Sequence, residues 1–522
     1  MISLPHLLEI LPEAQDLRIE DIPVISVTDH SGRVQTGAVF VAVRGASADG
    51  HDYLEDVVKK DPAAVIAQCK GPADYTGLWI QVPDTRVVLG RLAARFAGDP
   101  AAAMITIGVT GTNGKTTVTH FIHSLLEKCM LKTGMIGTIK VQDGSGLRDA
   151  THTTPGAVEM QSILRTMKGN GCRAVTMETS SHGLEQGRCQ GIPFRVGVFL
   201  NLTQDHLDYH KTMSSYYEAK KILFDQMAEE GRDGVAVINI DDPAGEKLAA
   251  DFKDRLKIVT FGFSQKADYR ASDIRHSNRG QVFALEIKGK SYLVRLPIVG
   301  RFNVLNALAA LAAASSAGLP LRDLIKHIAE TRQTPGRMEF VGGDRVPVFV
   351  DYAHTPDAVS KACETLSDLN PNRLITVFGC GGDRDRAKRP LMGQAAAERS
   401  QFCIVTSDNP RSEEPEAIIE EILPGLESVR HQVIVDRREA IKTAIMDAKP
   451  GDLILIAGKG HESYQEIKGT RFHFDDRDVA RLALEERRKL EEAEFEKRQA
   501  ERDKRDQQRG DDRGERNGFS RD

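Results

Sequence analysis

The sequence has no long apolar run and no close pair of cysteines. No segment approaches the roughly 18 apolar residues of a membrane span, and the start lacks a basic leader followed by an apolar run. We therefore expect neither a membrane anchor nor removal of a leader peptide. The seven cysteines are scattered, without the paired spacing of structural zinc or redox motifs, so we expect reduced thiols and a cytoplasmic protein.

An excess of charge of one sign is also absent. The net charge is -5, the apolar fraction 40% and the charged fraction 28%, which are ordinary values for a globular protein. This balance gives no general attraction to nucleic acid or to an anionic membrane. A chain of 522 residues is too long for one hydrophobic core, so several domains are expected.

Two series of short β-branched runs alternate with segments of helical period. The first series, between about residues 101 and 262, consists of ITIGV, RAVTM, GVFLNL, GVAVINI and KIVTFG, and the second follows Pro335. This alternation predicts α/β domains with mostly parallel sheets. We place a first small α/β domain at 1–98, a central domain at 99–335 and a C-terminal domain at 336–484. The charged residues 485–522 predict a solvated tail, helical at its start and disordered at its end.

The segment TGTNGKTT follows the strand-like run MITIGV and precedes an amphipathic helix, which is the context of a phosphate loop. Its glycines let backbone N–H groups approach phosphate oxygens, while Lys115 adds positive charge and Thr116 is a candidate Mg²⁺ ligand. Val109 stands where the strict pattern has glycine, so this is a variant loop. The alternative is a chance Gly-Lys-Thr turn. The nucleotide-binding residues predicted here are Gly111, Thr112, Asn113, Gly114, Lys115, Thr116 and Thr117.

Three polar segments, METSSHGLEQGR, NLTQDHLDYH and YYEAKKILF, end or follow strands of the same predicted domain. Open parallel sheets gather ligands at these ends. Glu178 and His206 are candidate metal ligands beside Thr116, since oxygen and nitrogen donors suit a site that also keeps water and phosphate. A lone loop histidine is usually a surface residue, and the pattern does not say which member of its cluster binds metal. That cluster consists of Asp205, His206, Asp208 and His210.

Taken together, these segments with GRFNVLNALAA, PGRMEF, VDYAHTP, GCGGDRDRAKRPLM and GKGHE resemble the Mur ligases. The resemblance runs in order from about residue 20 to residue 475 and leaves the charged tail outside. It implies a three-domain α/β architecture with a P-loop central domain and a Rossmann-like C-terminal domain. It also implies amide synthesis from ATP with Mg²⁺, in which a carboxylate first becomes an acyl phosphate.

Family members that add meso-diaminopimelate carry Asp-Asn-Pro-Arg at the place where this chain has Asp408, Asn409, Pro410 and Arg411. The resemblance therefore implies that a monomer joins meso-diaminopimelate to UDP-N-acetylmuramoyl-L-alanyl-D-glutamate in cytoplasmic peptidoglycan precursor synthesis, without nucleic acid or membrane. Diaminopimelate has a second carboxylate that lysine lacks, and an arginine binds a carboxylate through two parallel hydrogen bonds. For an isolated motif, a surface arginine paired with Glu413 or Glu414 would be the simpler interpretation.

The family's other functional residues are carried over by motif. The lysine matching Lys220 is carbamylated in the family, although by pattern alone it is an ordinary solvated helical lysine. The implied catalytic residues are Lys115, Lys220 and His206, and the implied metal ligands are Thr116, Glu178, His206 and carbamylated Lys220. Further ATP contacts are Asn303, Arg337, Asp351 and His354. Contacts to the UDP-sugar peptide are Ser31, Thr153, Thr154, Ser180, Gln186 and Arg188. Arg384, Gly458 and Glu462 join the four motif residues around diaminopimelate.

One departure from the family pattern and three alternative functions remain open. The family usually has Asp-Ser-Arg where this chain has His30, Ser31 and Gly32, so the uridine contacts depart from the family pattern. A lysine-adding ligase of the same family would not require Arg411. Folylpolyglutamate synthase shares the loop and fold but lacks the first domain, and an ATP-binding scaffold without turnover would not need intact Lys115, Glu178, His206 and Lys220.

Overall fold

The computed structural model describes residues 2–45, 48–231, 233–277, 280–331 and 333–517, with the side chains of 208, 503 and 505–517 left out. The chain forms two compact units, Met1–Arg275 with Gly280–Arg332 and His276–Arg279 with Gln333–Asp522. The division into three domains stays a prediction, because compactness alone separates only two units. The mixed α/β class with parallel sheets is confirmed.

The first unit begins with a small parallel sheet. Its strand order is β1-β2-β3-β4, and each neighbouring pair is parallel. The strands are β1 Ser26–Thr28, β2 Ala38–Val41, β3 Ala64–Ala67 and β4 Trp79–Gln81, and the helices are α1 Leu4–Leu8, α2 Leu54–Val58 and α3 Thr85–Phe96. The core under this sheet also contains Ala157, so the sheet packs against a helix of the following segment.

A large sheet carries the rest of the first unit. In the described residues it has 11 strands in the order β15-β14-β13-β12-β11-β10-β5-β9-β6-β7-β8. The strands are β5 Ile105–Thr110, β6 Thr133–Ile136, β7 Lys140–Gln142, β8 Leu147–Asp149, β9 Ala174–Glu178, β10 Val196–Phe199, β11 Val235–Asn239, β12 Lys257–Gly262, β13 Tyr269–Ser277, β14 Gly280–Ile287 and β15 Lys290–Leu296. The five β-branched runs read from the sequence form β5, β9, β10, β11 and β12, and these strands are parallel.

Helices cover both faces of this sheet. They are α4 Lys115–Lys128, α5 Ala157–Gly169, α6 Ser181–Glu185, α7 Leu207–His210, α8 Met213–Glu229, α9 Pro243–Phe252, α10 Arg301–Ser316 and α11 Leu321–Ile328. The predicted apolar face of α4, from Val118 to Leu126, is buried. The alanine-rich α10 shares that core, because small side chains let it pack closely against its neighbours.

The course of the chain places a crevice above this sheet. From β5 the chain continues through α4 to β6 on one side, whereas from β10 it continues to β11 on the other. The carboxyl ends of these two neighbouring strands therefore flank a switch point, where open α/β sheets bind ligands.

The second unit is a Rossmann-like sheet covered by helices. Its order is β16-β17-β21-β18-β19-β20, parallel except for β16, and a separate hairpin is formed by β22 and β23. The strands are β16 Glu339–Gly342, β17 Val348–Asp351, β18 Leu374–Phe378, β19 Phe402–Val405, β20 Arg430–Val433, β21 Leu453–Ala457, β22 Tyr464–Ile467 and β23 Thr470–His473. The helices are α12 Pro356–Ser367, α13 Lys388–Ala397, α14 Pro415–Ile422, α15 Arg437–Asp447 and α16 Asp476–Asn517.

The charged C-terminal segment continues α16. The first turns of this helix bury Val479, Ala480 and Ala483 in the core of the second unit. The end of the tail 485–522, where disorder was predicted, is described as helix to Asn517, and residues 518–522 lie outside the described residues. In the part of the chain that the structure describes, no helix has the length and apolarity to cross a membrane.

Candidate active site

The predicted phosphate loop lies between β5 and α4, at the crevice. Gly111 has φ 151° and Gly114 has φ 89°, and a Cβ on Gly114 would lie 2.6 Å from Asn306 Oδ1. The loop is fixed to the end of β10, since Asn113 N donates to Asn201 Oδ1 at 2.8 Å and Thr112 N to Asn201 O at 3.0 Å. The first backbone N–H groups of α4 follow directly, which is the geometry that binds phosphate.

Two lysine ammonium groups approach one backbone oxygen in this loop. Lys115 Nζ donates to Gly111 O at 2.8 Å and to Thr112 O at 2.9 Å. Lys220 Nζ, from α8, donates to the same Gly111 O at 2.9 Å. Like charges held this close repel each other, so a second ammonium beside Lys115 is disfavoured at this point of the loop.

Lys220 is not the solvated lysine that the sequence pattern favoured. Its side chain is 1% exposed and its ammonium lies 4.2 Å from the centre of the Tyr216 ring. Burial first, and then the charge of Lys115, hold the pKa of Lys220 well below its usual value, while Asp205 opposes the shift. These surroundings favour the uncharged amine.

A buried carboxylate lies beside the start of α4. Glu178, at the end of β9, accepts the Thr116 hydroxyl at 3.0 Å, the Thr138 hydroxyl at 3.1 Å and the Thr138 backbone N–H at 2.7 Å. The Thr138 hydroxyl also contacts that of Thr153 at 3.0 Å. The predicted metal ligands Thr116 and Glu178 are thus brought together.

The donor set fits a magnesium ion. Within the described residues, no group of three or more His, Cys, Asp or Glu side chains could hold a metal. Mg²⁺ does not need such a group, since it is usually bound by one or two carboxylates together with water and substrate phosphate oxygens. The Thr116 hydroxyl and the Glu178 carboxylate supply that kind of partial site.

His206 lies in the loop after β10 with a left-handed backbone, φ 53°. Its ring nitrogen Nε2 lies 3.5 Å from Asp205 Oδ2, and its ring centre is 6.2 Å from that of Tyr216. These described contacts do not include Thr116 or Glu178. The side chain of Asp208, another member of the predicted cluster, lies outside the described residues.

His210, in contrast, is held by neighbours on α6 and α8. Its Nε2 is 2.9 Å from Ser181 Oγ, and its Nδ1 is 3.2 Å from Glu185 Oε2. Its ring stacks on Tyr216 with 5.0 Å between centres. His210 therefore connects two helices of the fold.

Most of the residues expected to contact the UDP-sugar peptide form one hydrogen-bonded group near the end of β9. The hydroxyls of Thr154 and Ser180 are 3.0 Å apart, and Arg188 donates to Thr154 O at 2.8 Å. The guanidinium also donates to Gln186 Oε1 at 2.6 and 3.1 Å. Four of the predicted residues therefore share a network, which Thr153 joins through Thr138 and Glu178.

Ser31 lies apart from this group, in the first sheet region. It begins a short 3₁₀ turn at 31–33, and its carbonyl oxygen accepts Lys60 Nζ at 2.7 Å. His30 precedes this turn, and its Nδ1 accepts Gly32 N–H at 3.0 Å. The residues that depart from the family pattern thus form an ordered turn.

Asn303, near the start of α10, is buried and fully engaged. Its amide donates to Val299 O at 2.8 Å, and its oxygen accepts the Asn306 amide at 3.0 Å. Asn306 Oδ1 in turn lies against Gly114. The Asn303–Asn306 hydrogen bond therefore connects the predicted adenine region to a residue that packs against the phosphate loop.

Arg337, Asp351 and His354 belong to the second unit. The Arg337 guanidinium lies 4.7 Å from the centre of the Tyr352 ring, and the Asp351 carboxylate accepts Met338 N–H at 2.6 Å. Burial raises the pKa of Asp351, and the charge of Arg337 partly opposes this shift. The His354 ring packs on Tyr352 at 4.6 Å. Tyr352 thus brings Arg337 and His354 together.

The Asp-Asn-Pro-Arg segment follows β19 and surrounds a buried lysine. Lys459 Nζ donates to Asn409 Oδ1 at 2.9 Å and lies 3.4 Å from Glu462 and 3.8 Å from Asp408. The Asn409 amide donates to Glu462 at 2.9 Å. Burial raises the pKa of Glu462, while the charge of Lys459 opposes this shift. Gly458 adjoins this cluster, and Pro410 continues the segment to Arg411.

Arg411 itself has a left-handed backbone, φ 53°. Its guanidinium donates to Gly382 O at 2.6 Å, which places it beside the loop that carries Arg384. Arg384 is exposed, and its Cγ lies 3.9 Å from where a Cβ on Gly381 would be. The two arginines expected to bind carboxylates therefore occupy neighbouring loops.

The simpler interpretation of Arg411 as part of a surface ion pair is wrong. Glu413 pairs with Arg389 at 2.7 Å, and Glu414 pairs with Lys468 at 3.0 Å. The carboxylates proposed for Arg411 are thus engaged with other cations.

Several contact residues were not singled out from the sequence. Lys459 and Arg389 lie inside segments that were noted as motifs, yet a sequence does not show which cation within a motif is buried. The sequence did carry a signal for the burial of Lys220, because Tyr216, Lys220 and Phe224 repeat at helical spacing and share the buried face of α8. The residues missed in this way are Tyr216, Asn306, Arg389 and Lys459.

The fold and the site define a P-loop α/β protein with a second, Rossmann-like unit. The profile of the Mur ligase middle domain matches residues 109–314, and that of the Mur ligase glutamate ligase domain matches residues 336–460. A protein of Syntrophomonas wolfei named UDP-N-acetylmuramoyl-L-alanyl-D-glutamate--2,6-diaminopimelate ligase is 43% identical over 466 residues, 88% of this chain and 94% of that protein. The chain belongs to the Mur ligase family.

Solved structures agree with this assignment. A structure titled as a UDP-N-acetylmuramoyl-L-alanyl-D-glutamate--2,6-diaminopimelate ligase is 36% identical, has a TM-score of 0.70 and is matched over 93% of this chain and 99% of that chain. The MurF ligase of Thermotoga maritima, solved in complex with ADP, is 20% identical with a TM-score of 0.56, over 88% and 98% of the two chains. This second likeness concerns the fold alone.

Proposed function

We propose that this protein is an ATP-dependent ligase that joins meso-diaminopimelate to the D-glutamate of UDP-N-acetylmuramoyl-L-alanyl-D-glutamate. The observation that carries the proposal is the 43% identity to a protein named for this reaction, because the alignment extends over 88% of this chain. The site geometry supports the proposal in three ways. It has a loop of the kind that binds phosphate, a buried lysine beside that loop, and two arginines in neighbouring loops that are suited to binding carboxylates.

The reaction has two steps. The D-glutamate γ-carboxylate attacks the γ-phosphate of ATP, which releases ADP and leaves an acyl phosphate. The amine of diaminopimelate then attacks the acyl carbon, phosphate leaves and an amide bond forms. Such chemistry depends on positioning and on neutralising negative charge, which the loop around Gly111 with Lys115 would supply.

The nucleotide part of the proposal uses residues 111–117 for the phosphates. The N–H groups at the start of α4 would bind phosphate oxygens, and Lys115 would exchange its bonds to Gly111 O and Thr112 O for phosphate. Asn303 is assigned to the adenine. Arg337, Asp351 and His354 of the second unit are assigned to the same nucleotide.

The metal part of the proposal rests on Thr116 and Glu178, with His206 and Lys220 completing it. When bound, Mg²⁺ would offset charge on the phosphoryl oxygens. An uncharged Lys220 amine can attack CO₂ and lose one proton, which converts a buried amine into a carbamate anion. The lowered pKa of Lys220 favours this reaction, because only the uncharged amine carries the lone pair.

The acceptor and the incoming amino acid are assigned to separate groups. Ser31 and the network of Thr153, Thr154, Ser180, Gln186 and Arg188 are assigned to the UDP-sugar dipeptide. Arg411 and Arg384 would hold carboxylates of diaminopimelate, and Glu462 would accept an ammonium group. Asp408, Asn409, Pro410 and Gly458 shape that pocket through Lys459 and the adjoining strands.

The test is phosphate release from ATP with UDP-N-acetylmuramoyl-L-alanyl-D-glutamate, comparing meso-diaminopimelate with L-lysine. We expect turnover with diaminopimelate and at least about a hundredfold lower kcat/KM with lysine, because lysine leaves Arg411 without its carboxylate. Comparable turnover with lysine would favour the lysine-adding member of the family. No turnover with either amino acid would favour an ATP-binding scaffold.

The proposal includes a cytoplasmic monomer that acts on small molecules without nucleic acid. All seven cysteines lie in the described part of the chain and carry free thiols, which agrees with a reducing compartment. Sedimentation of the purified protein would test the oligomeric state.

A further inference from the structure

Arg389 is a buried cation outside the pocket described above. Arg389 lies on α13, and its side chain is 1% exposed. Its guanidinium donates three charge-assisted hydrogen bonds. Two go to the Glu413 carboxylate at 2.7 and 3.0 Å, and the third goes to Glu421 at 2.9 Å. A buried arginine is held this way only when its carboxylate partners are fixed in turn, since an uncompensated buried charge is costly.

Glu413 passes this constraint to the loop that faces Arg411. The same carboxylate accepts Asp383 N–H at 2.6 Å, and the Ser412 hydroxyl donates to Asp383 Oδ1 at 2.5 Å. Gly382 N in the same loop donates to Asn409 O at 2.9 Å. Glu413 therefore ties α13 to both loops of the proposed carboxylate pocket.

Arg411 lies between this anchor and the β22–β23 hairpin. Its N–H donates to Glu466 O at 3.0 Å, and its own carbonyl oxygen accepts Lys468 N–H at 2.6 Å. The left-handed backbone of a residue with a Cβ is strained and persists only where the surroundings fix it. Fixing it directs the guanidinium to Gly382 O, which keeps it in the pocket.

We propose that Arg389 and Glu413 are a pair of positioning residues that hold Arg411 for a carboxylate of the incoming amino acid. The inference rests on the proposed function of the pocket. The pair belongs to the second unit, together with the proposed carboxylate pocket, whereas the phosphate loop belongs to the first unit, so the pair should set amino-acid binding rather than ATP binding. Hydrogen bonds from Arg389 lower the pKa of Glu413 to about 2, so the pair stays ionised across the working pH range.

The experiment compares steady-state constants of wild type and Glu413→Gln in the full chain. The amide keeps the shape of the side chain but removes the charge that holds Arg389. We expect KM for meso-diaminopimelate to rise roughly tenfold or more, the effect of losing a charge-assisted hydrogen bond network. KM for ATP and for UDP-N-acetylmuramoyl-L-alanyl-D-glutamate should change less than about twofold, within the range of an unrelated surface change.

Two glutamates of this chain provide matched controls. Glu414→Gln changes the neighbouring residue, whose partner is the exposed Lys468. Glu421→Gln removes the other partner of Arg389 and leaves the Glu413 contacts in place. Both should keep KM for diaminopimelate within about twofold of wild type, even if Glu421→Gln lowers the melting temperature. Glu413→Asp, which keeps the charge, should restore part of the affinity.

The outcomes are distinct. A selective rise in KM for diaminopimelate in Glu413→Gln supports the inference. An unchanged KM, or an equal rise in all three KM values with a lower melting temperature, overturns it and leaves only a structural pair. If Glu413→Gln does not fold, the same comparison is made with Glu413→Asp, which keeps the charge but shortens the side chain that meets Arg389 and Asp383, and an unchanged KM there overturns the inference. Absence of diaminopimelate turnover in wild type would instead contradict the proposed function.

Discussion

Two lysines among the residues that the structure describes are removed from solvent, and their surroundings differ. Lys459 has Asp408, Asn409 and Glu462 around its ammonium, so its charge is compensated. Lys220 shares Gly111 O with Lys115, so it lies beside another cation. Burial next to a like charge favours the free amine of Lys220. The same residue type is therefore placed beside acidic and amide groups in one unit and beside a like charge in the other.

The burial of Lys220 predicts a pH-dependent cost to stability. The unfolded chain binds a proton near the ordinary lysine pKa, whereas the folded chain binds it only at a lower pH. Between these two values the unfolded state holds more protons, so the unfolding free energy rises with pH by up to about 1.4 kcal/mol per pH unit. This cost has its full value below the pKa of Lys220 in the folded protein, and it vanishes above the pKa of Lys220 in the unfolded chain.

Lys220→Met should remove this dependence, because methionine keeps the apolar volume without an amine. Urea unfolding in CO₂-free buffer between about pH 7 and 10 would measure it, and the stability advantage of Lys220→Met should shrink as pH rises. Lys221→Met is the control, since Lys221 pairs with Asp225 at 3.0 Å and is partly exposed. Parallel curves for wild type and Lys220→Met would contradict the assignment of a lowered pKa.

At the scale of elements, the sequence predicted what short-range patterns encode. The five β-branched runs became strands, and Val118, Phe121 and Leu125 became the buried face of α4. Local pattern does not encode the contacts that converge on the site. Lys220 lies 109 positions from Gly111, and Arg389 lies 24 from Glu413. The resemblance supplied site residues by motif, but burial and pairing came from the fold.

The loop between β5 and α4 gives a prediction at this scale. Gly114→Ala places a Cβ at a left-handed φ and 2.6 Å from Asn306 Oδ1, so the loop or Asn306 must shift. The conformational strain alone costs about 1–2 kcal/mol. Calorimetric titration with a non-hydrolysable ATP analogue should show weaker binding by at least about tenfold, because the N–H groups no longer converge.

Gly156→Ala is the matched control for that change. Gly156 precedes α5 with an ordinary φ of -59°, and a Cβ there meets nothing within 4 Å. Stability should stay within about 0.5 kcal/mol, and nucleotide affinity should match wild type. Equal affinity of the Gly114→Ala and Gly156→Ala proteins for the analogue would show that the loop does not bind phosphate.

At the scale of the whole molecule, each unit has its own sheet and its own core. In the first unit, Ala157 of α5 contributes to the core beneath the small N-terminal sheet. Residues predicted as a separate first domain are therefore packed together with the central segment. In the second unit, the core includes Val479, Ala480 and Ala483 from the start of α16. The charged C-terminal helix is thus part of this core at one end and exposed at the other.

This division of α16 predicts opposite results for two truncations. Deletion of residues 494–522 removes a segment in which the described side chains, those of residues 494–502 and 504, are exposed. Stability and turnover should stay within about 0.5 kcal/mol and about twofold of wild type, as for changes without buried contacts. Thermal unfolding and the phosphate-release assay would measure both.

A chain ending at Asp475 should behave differently. It loses Asp476, whose carboxylate pairs with the fully buried Arg437 at 2.7 and 2.8 Å, and it loses the apolar side chains that follow. An unpaired buried guanidinium alone costs about 3–5 kcal/mol, a large part of the stability of a domain. The second unit should then unfold, which tryptic digestion would detect as cleavage beyond residue 333. Asp476→Asn in the full chain separates the two causes: a similar loss of stability assigns it to the ion pair, and a small loss assigns it to the helix packing.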